Sequence, residues 1–171
     1  MRHRGGFGRV CTLAGLGASA LTALALAACS GQAQPPKEYE LGAAITPGSV
    51  DDFTANAGDM VYFAGDSVML SPNAKATLRK QVGWLNQHPE YRVTVEGHAD
   101  EWGTRQHNLA LGAQRATAVK TFLTQSGLRS GHRVHTVSYG KERLVADCTA
   151  LTCRDRNRRA QTVISPNTAA R

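Results

Sequence analysis

The chain has 171 residues, 42% of them hydrophobic and 19% charged, with a formal net charge of +7. That length holds one domain plus a leader or tail, and the composition fits a globular core rather than a disordered polymer. Arg2, Arg4 and Arg9 supply three of the seven net charges, leaving +4 for the rest. Such a mild excess suits anionic surroundings; with no stripe of interleaved basic and aromatic residues, it gives no ground for nucleic-acid binding.

Residues 1–28 have the parts of a secretory signal, a basic MRHRGGFGR and then an apolar run from Val10 to Ala28. The run is rich in Ala and Gly and ends Leu26–Ala27–Ala28–Cys29, which resembles a bacterial lipobox. That resemblance implies cleavage before Cys29, a diacylglycerol on its thiol and acylation of the new amino group. At about 0.8 kcal/mol per buried methylene, several acyl chains would hold the protein firmly on a membrane. A plain secretory signal or an uncleaved anchor is the alternative. Ser30, standing where Asp would mark retention at the inner membrane, implies the outer membrane on the same resemblance. Residues 29–52 have no strong period; Gln32, Gln34, Pro35, Pro36, Pro47, Gly48 and Ser49 predict a flexible tether. Tyr39 and Leu41 are apolar enough to pack back on the folded domain, which is expected over 53–165. A frayed tail is expected over 166–171.

Met60–Val61–Tyr62–Phe63 predicts a first short strand. Ser71–Pro72 predicts a helix start, with Ser as N-cap and Pro at the first helical position. Leu78, Val82 and Leu85 give that helix its buried face, and Pro89 ends it. Tyr91, Val93 and Val95 alternate with Arg92, Thr94 and Glu96, the period of a half-buried strand that Gly97 stops. Gly103 and Thr104 mark a loop exit, Thr104 as N-cap, and the next helix runs from about 105 to 126. Its apolar positions are Leu109, Ala113, Ala116, Val119 and Leu123, and Gly127 is its stop. Arg133–Tyr139 and Ala160–Ile164 complete the strands. The order β-α-β-α-β-β predicts an α/β sandwich, one mixed sheet with the helices on one face.

Two charged groups stand out, Asp100 in the turn after the second strand and Arg115 on the flank of the second helix. Asn108 precedes Arg115 by seven residues, so both project from one stripe, roughly 10 Å apart along the axis. Carboxylate, amide and guanidinium at one sheet edge could grip a small zwitterion, a guanidinium fork suiting a carboxylate. Alone, Asp100 reads as a turn residue capping its own backbone, and Arg115 as a solvated helix side chain. Cys11 falls in the leader and Cys29 is the lipid site. Cys148 and Cys153 remain, and in an oxidising periplasm a local disulfide is the natural reading. Zinc would want a second ligand pair, and a redox pair the Cys-x-x-Cys spacing.

The weaker reading is a wall hydrolase or metalloenzyme built on Glu96, Asp100 and His107. Glu96, Asp100 and Glu101 cluster, and paired carboxylates can cleave glycosides, yet nothing fixes their separation. His98, Asp100 and His107 are zinc ligands by type but follow no recognised spacing. Neither a Gly-x-Ser-x-Gly elbow nor a phosphate loop occurs. No cofactor and no metal is expected.

Val95–Glu101 (VEGHADE), Asn108–Leu109–Ala110–Leu111, Arg115–Ala116, Ser138–Tyr139–Gly140–Lys141–Glu142 and Asn157–Arg158–Arg159 together resemble the OmpA-like peptidoglycan-binding domain, in its outer-membrane lipoprotein form. The similarity covers about residues 58–165. It implies that Asp100 meets the ammonium of diaminopimelate in the peptidoglycan stem peptide and that Arg115 meets its carboxylate. It further implies that Asn108 supports the site, that Asp66 lines the same edge, and that one of Arg158 and Arg159 faces the wall. Membership in the Tol–Pal system is implied too, with periplasmic TolB and inner-membrane TolA as partners. His107 stands where Tyr is usual, Trp102 where a basic residue is commoner, and Ala64–Gly65, Gly112–Ala113 and Leu144–Val145 also depart from the pattern.

Overall fold

The computed structural model describes residues 45–147 and 150–167. The leader, Cys29 and Cys148 lie outside them. Pro47–Asp52, read from the sequence as the end of a tether, is a turn leading into a helical segment. Ser49 caps α1 (Val50–Asp52) by accepting the Asp52 N–H, and the chain runs on through a π-helical turn, Phe53–Ala57. Asp52 then fastens this segment to the body, its Oδ2 accepting from the Gly48 N–H at 2.9 Å and from Trp84 Nε1 at 2.8 Å.

The other elements are β1 (Met60–Tyr62), α2 (Pro72–Gln87), β2 (Tyr91–His98), α3 (Arg105–Gln125), β3 (Val134–Gly140), α4 (Leu151–Asn157) and β4 (Arg159–Pro166). The sheet order is β1-β4-β2-β3. β2 and β3 are parallel, whereas β4 runs antiparallel to both β1 and β2. The expected mixed sheet is present, and α2 and α3 pack on one face of it. Val93, Val95, Val134, Ala160 and Ile164 from the strands meet Leu78, Val82, Leu85, Ala116, Val119 and Leu123 from the helices. Burying these apolar side chains is the main stabilising term for a domain of this size. The N-caps fall where the sequence puts them: Ser71 Oγ accepts the Ala74 N–H and Thr104 Oγ1 the His107 N–H, each at 3.1 Å.

Three local expectations change. Gly97 does not stop β2; it lies inside the strand, paired with Ala160 and Ser138, and the bulge comes after it at His98. Its missing side chain is needed for helix packing: a Cβ there would fall onto the Gly112 carbonyl of α3, and one on Gly112 would strike Ser138 Oγ and the Gly97 carbonyl. The inner face of α3 is therefore Asn108, Leu111, Gly112, Arg115, Ala116, Val119 and Leu123, while Ala113 is exposed. Ala116, Val119 and Leu123 face inward as the sequence period predicts, but glycine and arginine do not register as apolar, so the period misses the rest of that face and puts Ala113 in it. Finally, the stretch before the last strand, read as loop, contains α4. Ala150 gives it no side-chain cap, which left no start signal to read.

Candidate functional site

Asp100 opens the loop between β2 and α3 and is only 6% exposed. Its Oδ1 accepts the Trp102 N–H at 3.1 Å, and its Oδ2 accepts from Arg158 Nε at 2.7 Å. Asn108, in the first turn of α3 and fully buried, donates from Nδ2 to the Trp102 carbonyl at 2.6 Å. From the end of β3, Lys141 Nζ donates to the carbonyls of Glu101 at 3.4 Å and Gly103 at 2.8 Å. Helix, strand end and α4 thus hold this short loop from three sides.

Arg115 is the largest fully buried side chain of the described residues. Its Nε donates to the Ser67 carbonyl at 3.1 Å, its Nη1 to the His98 carbonyl at 2.8 Å and its Nη2 to the Gly65 carbonyl. The guanidinium also lies over the Phe63 ring at 5.1 Å. It therefore pins the β1–α2 loop against the end of β2. Burial lowers its pKa to about 10, with Asp100 and Asp66 opposing that drop and Arg158 adding to it, so it stays cationic at neutral pH. The expectation of a guanidinium offered at the surface is corrected: Arg115 acts on its surroundings as a buried charge with no exposed surface.

Above it lies a cleft of about 290 Å³ lined by Asp66, Asp100, Trp102, Gly103, His107, Arg154 and Arg158. Asp66 is exposed and faces His107, with Oδ2 3.8 Å from Nε2. Arg158 also reaches Asp155 at 3.2 Å, and the Arg154 guanidinium lies over the Trp102 ring at 4.7 Å. Two carboxylates and two guanidiniums share this small space, which matches a ligand carrying one charge of each sign. A larger apolar groove of about 660 Å³, lined by Met69, Leu70, Phe122 and parts of α3, has Lys75 as its one charged side chain. Of the two, the smaller cleft is the one lined by charges of both signs.

Of the residues singled out in the sequence, Asp66, Asp100 and Arg158 meet at the cleft, and Asn108 and Arg115 lie beneath it. The two adjacent arginines are placed apart. Arg158 lines the cleft, whereas Arg159 is buried on the other side of the sheet and donates to the Arg143 carbonyl at 3.3 Å. Glu96 does not line the cleft; its Oε2 faces His98 Nε2 at 3.7 Å. Among the described residues, no group of three His, Cys, Asp or Glu side chains is placed to hold a metal. Cys153, on α4, is disulfide-bonded. Sequence reasoning missed Arg154. The four-residue spacing from Arg154 to Arg158 puts both on one helical stripe, a signal that becomes visible only once α4 is recognised.

The OmpA family model matches residues 62–158, which takes in every residue of the cleft. The peptidoglycan-associated lipoprotein of Mesorhizobium japonicum is 49% identical over 146 residues, spanning 83% of this chain and 86% of the relative. That of Agrobacterium fabrum is 49% identical over 147 residues, spanning 83% and 82%. Among solved structures, the peptidoglycan-associated lipoprotein of Burkholderia pseudomallei superposes with a TM-score of 0.60 at 36% identity, covering 63% of this chain and 90% of its own. The C-terminal domain of Helicobacter pylori MotB superposes with a TM-score of 0.59 at 21% identity over 65% of this chain and 87% of its own, a likeness of fold alone. The strand and helix order and these matches agree: the chain belongs to the OmpA family and, within it, to the family of peptidoglycan-associated lipoproteins.

Proposed function

We propose that this chain binds peptidoglycan non-covalently and ties it to the outer membrane. The relatives' name supports the wall and the lipid, and the lipobox-like Leu26–Ala27–Ala28–Cys29 supplies the acylation site. The observation that carries the reading is the pairing of Asp66 and Asp100 with Arg154 and Arg158 around one small cleft. Its ligand is the free end of diaminopimelate, which presents an ammonium and a carboxylate on one carbon. Asp100, with Asp66 across the cleft, takes the ammonium. The guanidiniums of Arg158 and Arg154 take the carboxylate, and buried Arg115 adds positive potential from below.

The chain is a binding protein and not an enzyme on this reading, since nothing in the cleft is asked to break a bond. Each site is partly solvated and binds modestly, and many lipid-anchored copies facing a polymeric wall raise the overall hold through avidity. The resemblance further supports a place in the Tol–Pal system, with TolB and TolA as partners during envelope constriction.

Sedimentation with purified sacculi tests the site. Wild-type domain co-pellets, and Asp100→Asn loses most of that while keeping its circular dichroism. Equal co-pelleting of the two proteins would remove Asp100 from the site. Recombinant TolB, added in increasing amounts, releases the domain from sacculi if the two partners share this face.

A further inference from the structure

The cleft has one feature its charges do not explain. Trp102 is 65% exposed at the rim, although a large aromatic in that setting ordinarily turns its ring inward. Its backbone explains why the loop has its shape: the N–H is bound to Asp100 and the carbonyl to Asn108. Neither bond uses the indole, so the ring is not there to build the loop. Arg154 covers the ring from one side at 4.7 Å and is itself held near Glu101, with Nε 4.0 Å from Oε1. A guanidinium stacked on one face fixes the plane of the indole and leaves the ring standing beside the charged cleft.

We propose that Trp102 is a platform for a sugar of the glycan strand, so that the site reads a peptide and its attached carbohydrate together. The inference rests on the cleft binding the stem peptide. In peptidoglycan that peptide hangs from an amino sugar whose pyranose ring has one face of C–H groups and a rim of hydroxyls. A flat apolar ring accepts the C–H face, and His107, the lining polar side chain that the stem peptide does not use, is left for a rim hydroxyl. An exposed indole fixed next to a zwitterion pocket is the arrangement such a two-part ligand requires. A peptide alone would leave it in water.

Isothermal titration compares two ligands, the diaminopimelate-containing stem tetrapeptide and the same peptide carrying its disaccharide. The quantity read is the ratio of the two dissociation constants, so that any change in the peptide arm common to both ligands cancels. Wild type favours the disaccharide-peptide by about tenfold, the factor given by one good aromatic contact. Trp102→Ala brings the ratio to about one, and Trp102→Phe, which keeps a flat ring, recovers part of it. Loop collapse in Trp102→Ala is checked by its thermal midpoint, which stays at the wild-type value because the loop's bonds to residue 102 are made by backbone. Fluorescence gives an independent readout, since the other tryptophan, Trp84, is buried. The disaccharide-peptide protects Trp102 from iodide quenching and the bare peptide does not. A wild-type ratio of one with both ligands bound overturns the platform and leaves the charged cleft standing. No binding of either ligand overturns both.

Discussion

Arg158 Nε donates to Asp100 Oδ2 at 2.7 Å, across 58 residues of sequence, and both side chains are largely shielded from water. This pair joins the end of β2 to the end of α4 and forms one wall of the cleft. A charge-assisted bond in a partly dry setting is worth more than an exposed ion pair. A double-mutant cycle of Asp100→Asn and Arg158→Gln in urea is expected to return a coupling of about 1–3 kcal/mol. Additive effects would mean that the two groups do not depend on each other.

Arg115 was legible as a candidate but not as a buried one. With three backbone carbonyls on its guanidinium, Arg115→Ala leaves the Gly65, Ser67 and His98 carbonyls short of a donor. The expected loss is about 3–5 kcal/mol of folding stability, read from denaturant midpoints. Arg115→Ala that unfolds at the wild-type midpoint would contradict this anchoring role. The variant therefore cannot serve as a pure binding knockout, and Asp100→Asn is the cleaner choice.

His98 is 1% exposed, stacks on Tyr139 with 5.6 Å between ring centroids, and among the described residues neither ring nitrogen has a hydrogen-bond partner. Burial, then Arg159 and Arg143, push its pKa down from 6.5 to about 4, with Glu96 the nearest carboxylate. The unfolded chain thus binds a proton between these two values that the folded chain refuses, so stability rises with pH across that window and falls on acidification. His98→Phe keeps the ring stack and removes the titration. Its stability is expected to change less than that of wild type between pH 6.5 and 4 in a series of thermal melts. Parallel curves would assign the acid loss to other groups.

Gly112 is a poor helix former, and replacing it with Ala in a free helix would gain about 1 kcal/mol. Here the added methyl meets Ser138 Oγ and the Gly97 carbonyl, and overpacking of that kind costs about 1–3 kcal/mol. Gly112→Ala is expected to lower the thermal midpoint despite the better propensity. A raised midpoint would show that α3 can move off the sheet.

Cys153 is disulfide-bonded and sits next to Arg154 on α4, the helix that also leads to Arg158. With Cys148 as the expected partner, reduction frees a small loop worth about 2 kcal/mol in the chain-entropy model. Dithiothreitol is expected to weaken co-pelleting with sacculi together with stability, because two of the four cleft charges hang from this helix. Unchanged binding after verified reduction would separate the crosslink from the site.

The main strands, both long helices and their caps could be read from period and capping chemistry, because each rests on residues close in sequence. The turn that presents Asp100 was legible in the same way, but alone it read as a backbone cap; its joint placement with Arg115 and the family resemblance made it a candidate. What escaped depends on partners far along the chain. Arg115 is inward because carbonyls 48, 17 and 50 residues away converge on it. Gly97 looked like a terminator because its close neighbour, Gly112, belongs to another element. α4 is short and uncapped, so Arg154 and the orientation of Arg158 went unread with it. Trp102 was noticed only as an oddity; its exposure is a property of the fold.

The contact of Gly97 with Gly112 also bears on how this molecule carries a load. Main chain rests on main chain there, with no pliable side chain as cushion. If the cleft holds the wall as proposed, a pull on the bound fragment would pass into β2, which is zipped to neighbours along both edges. Separating that strand would mean breaking two ladders at once instead of one, so the proposed grip would sit on the doubly paired strand of the sheet.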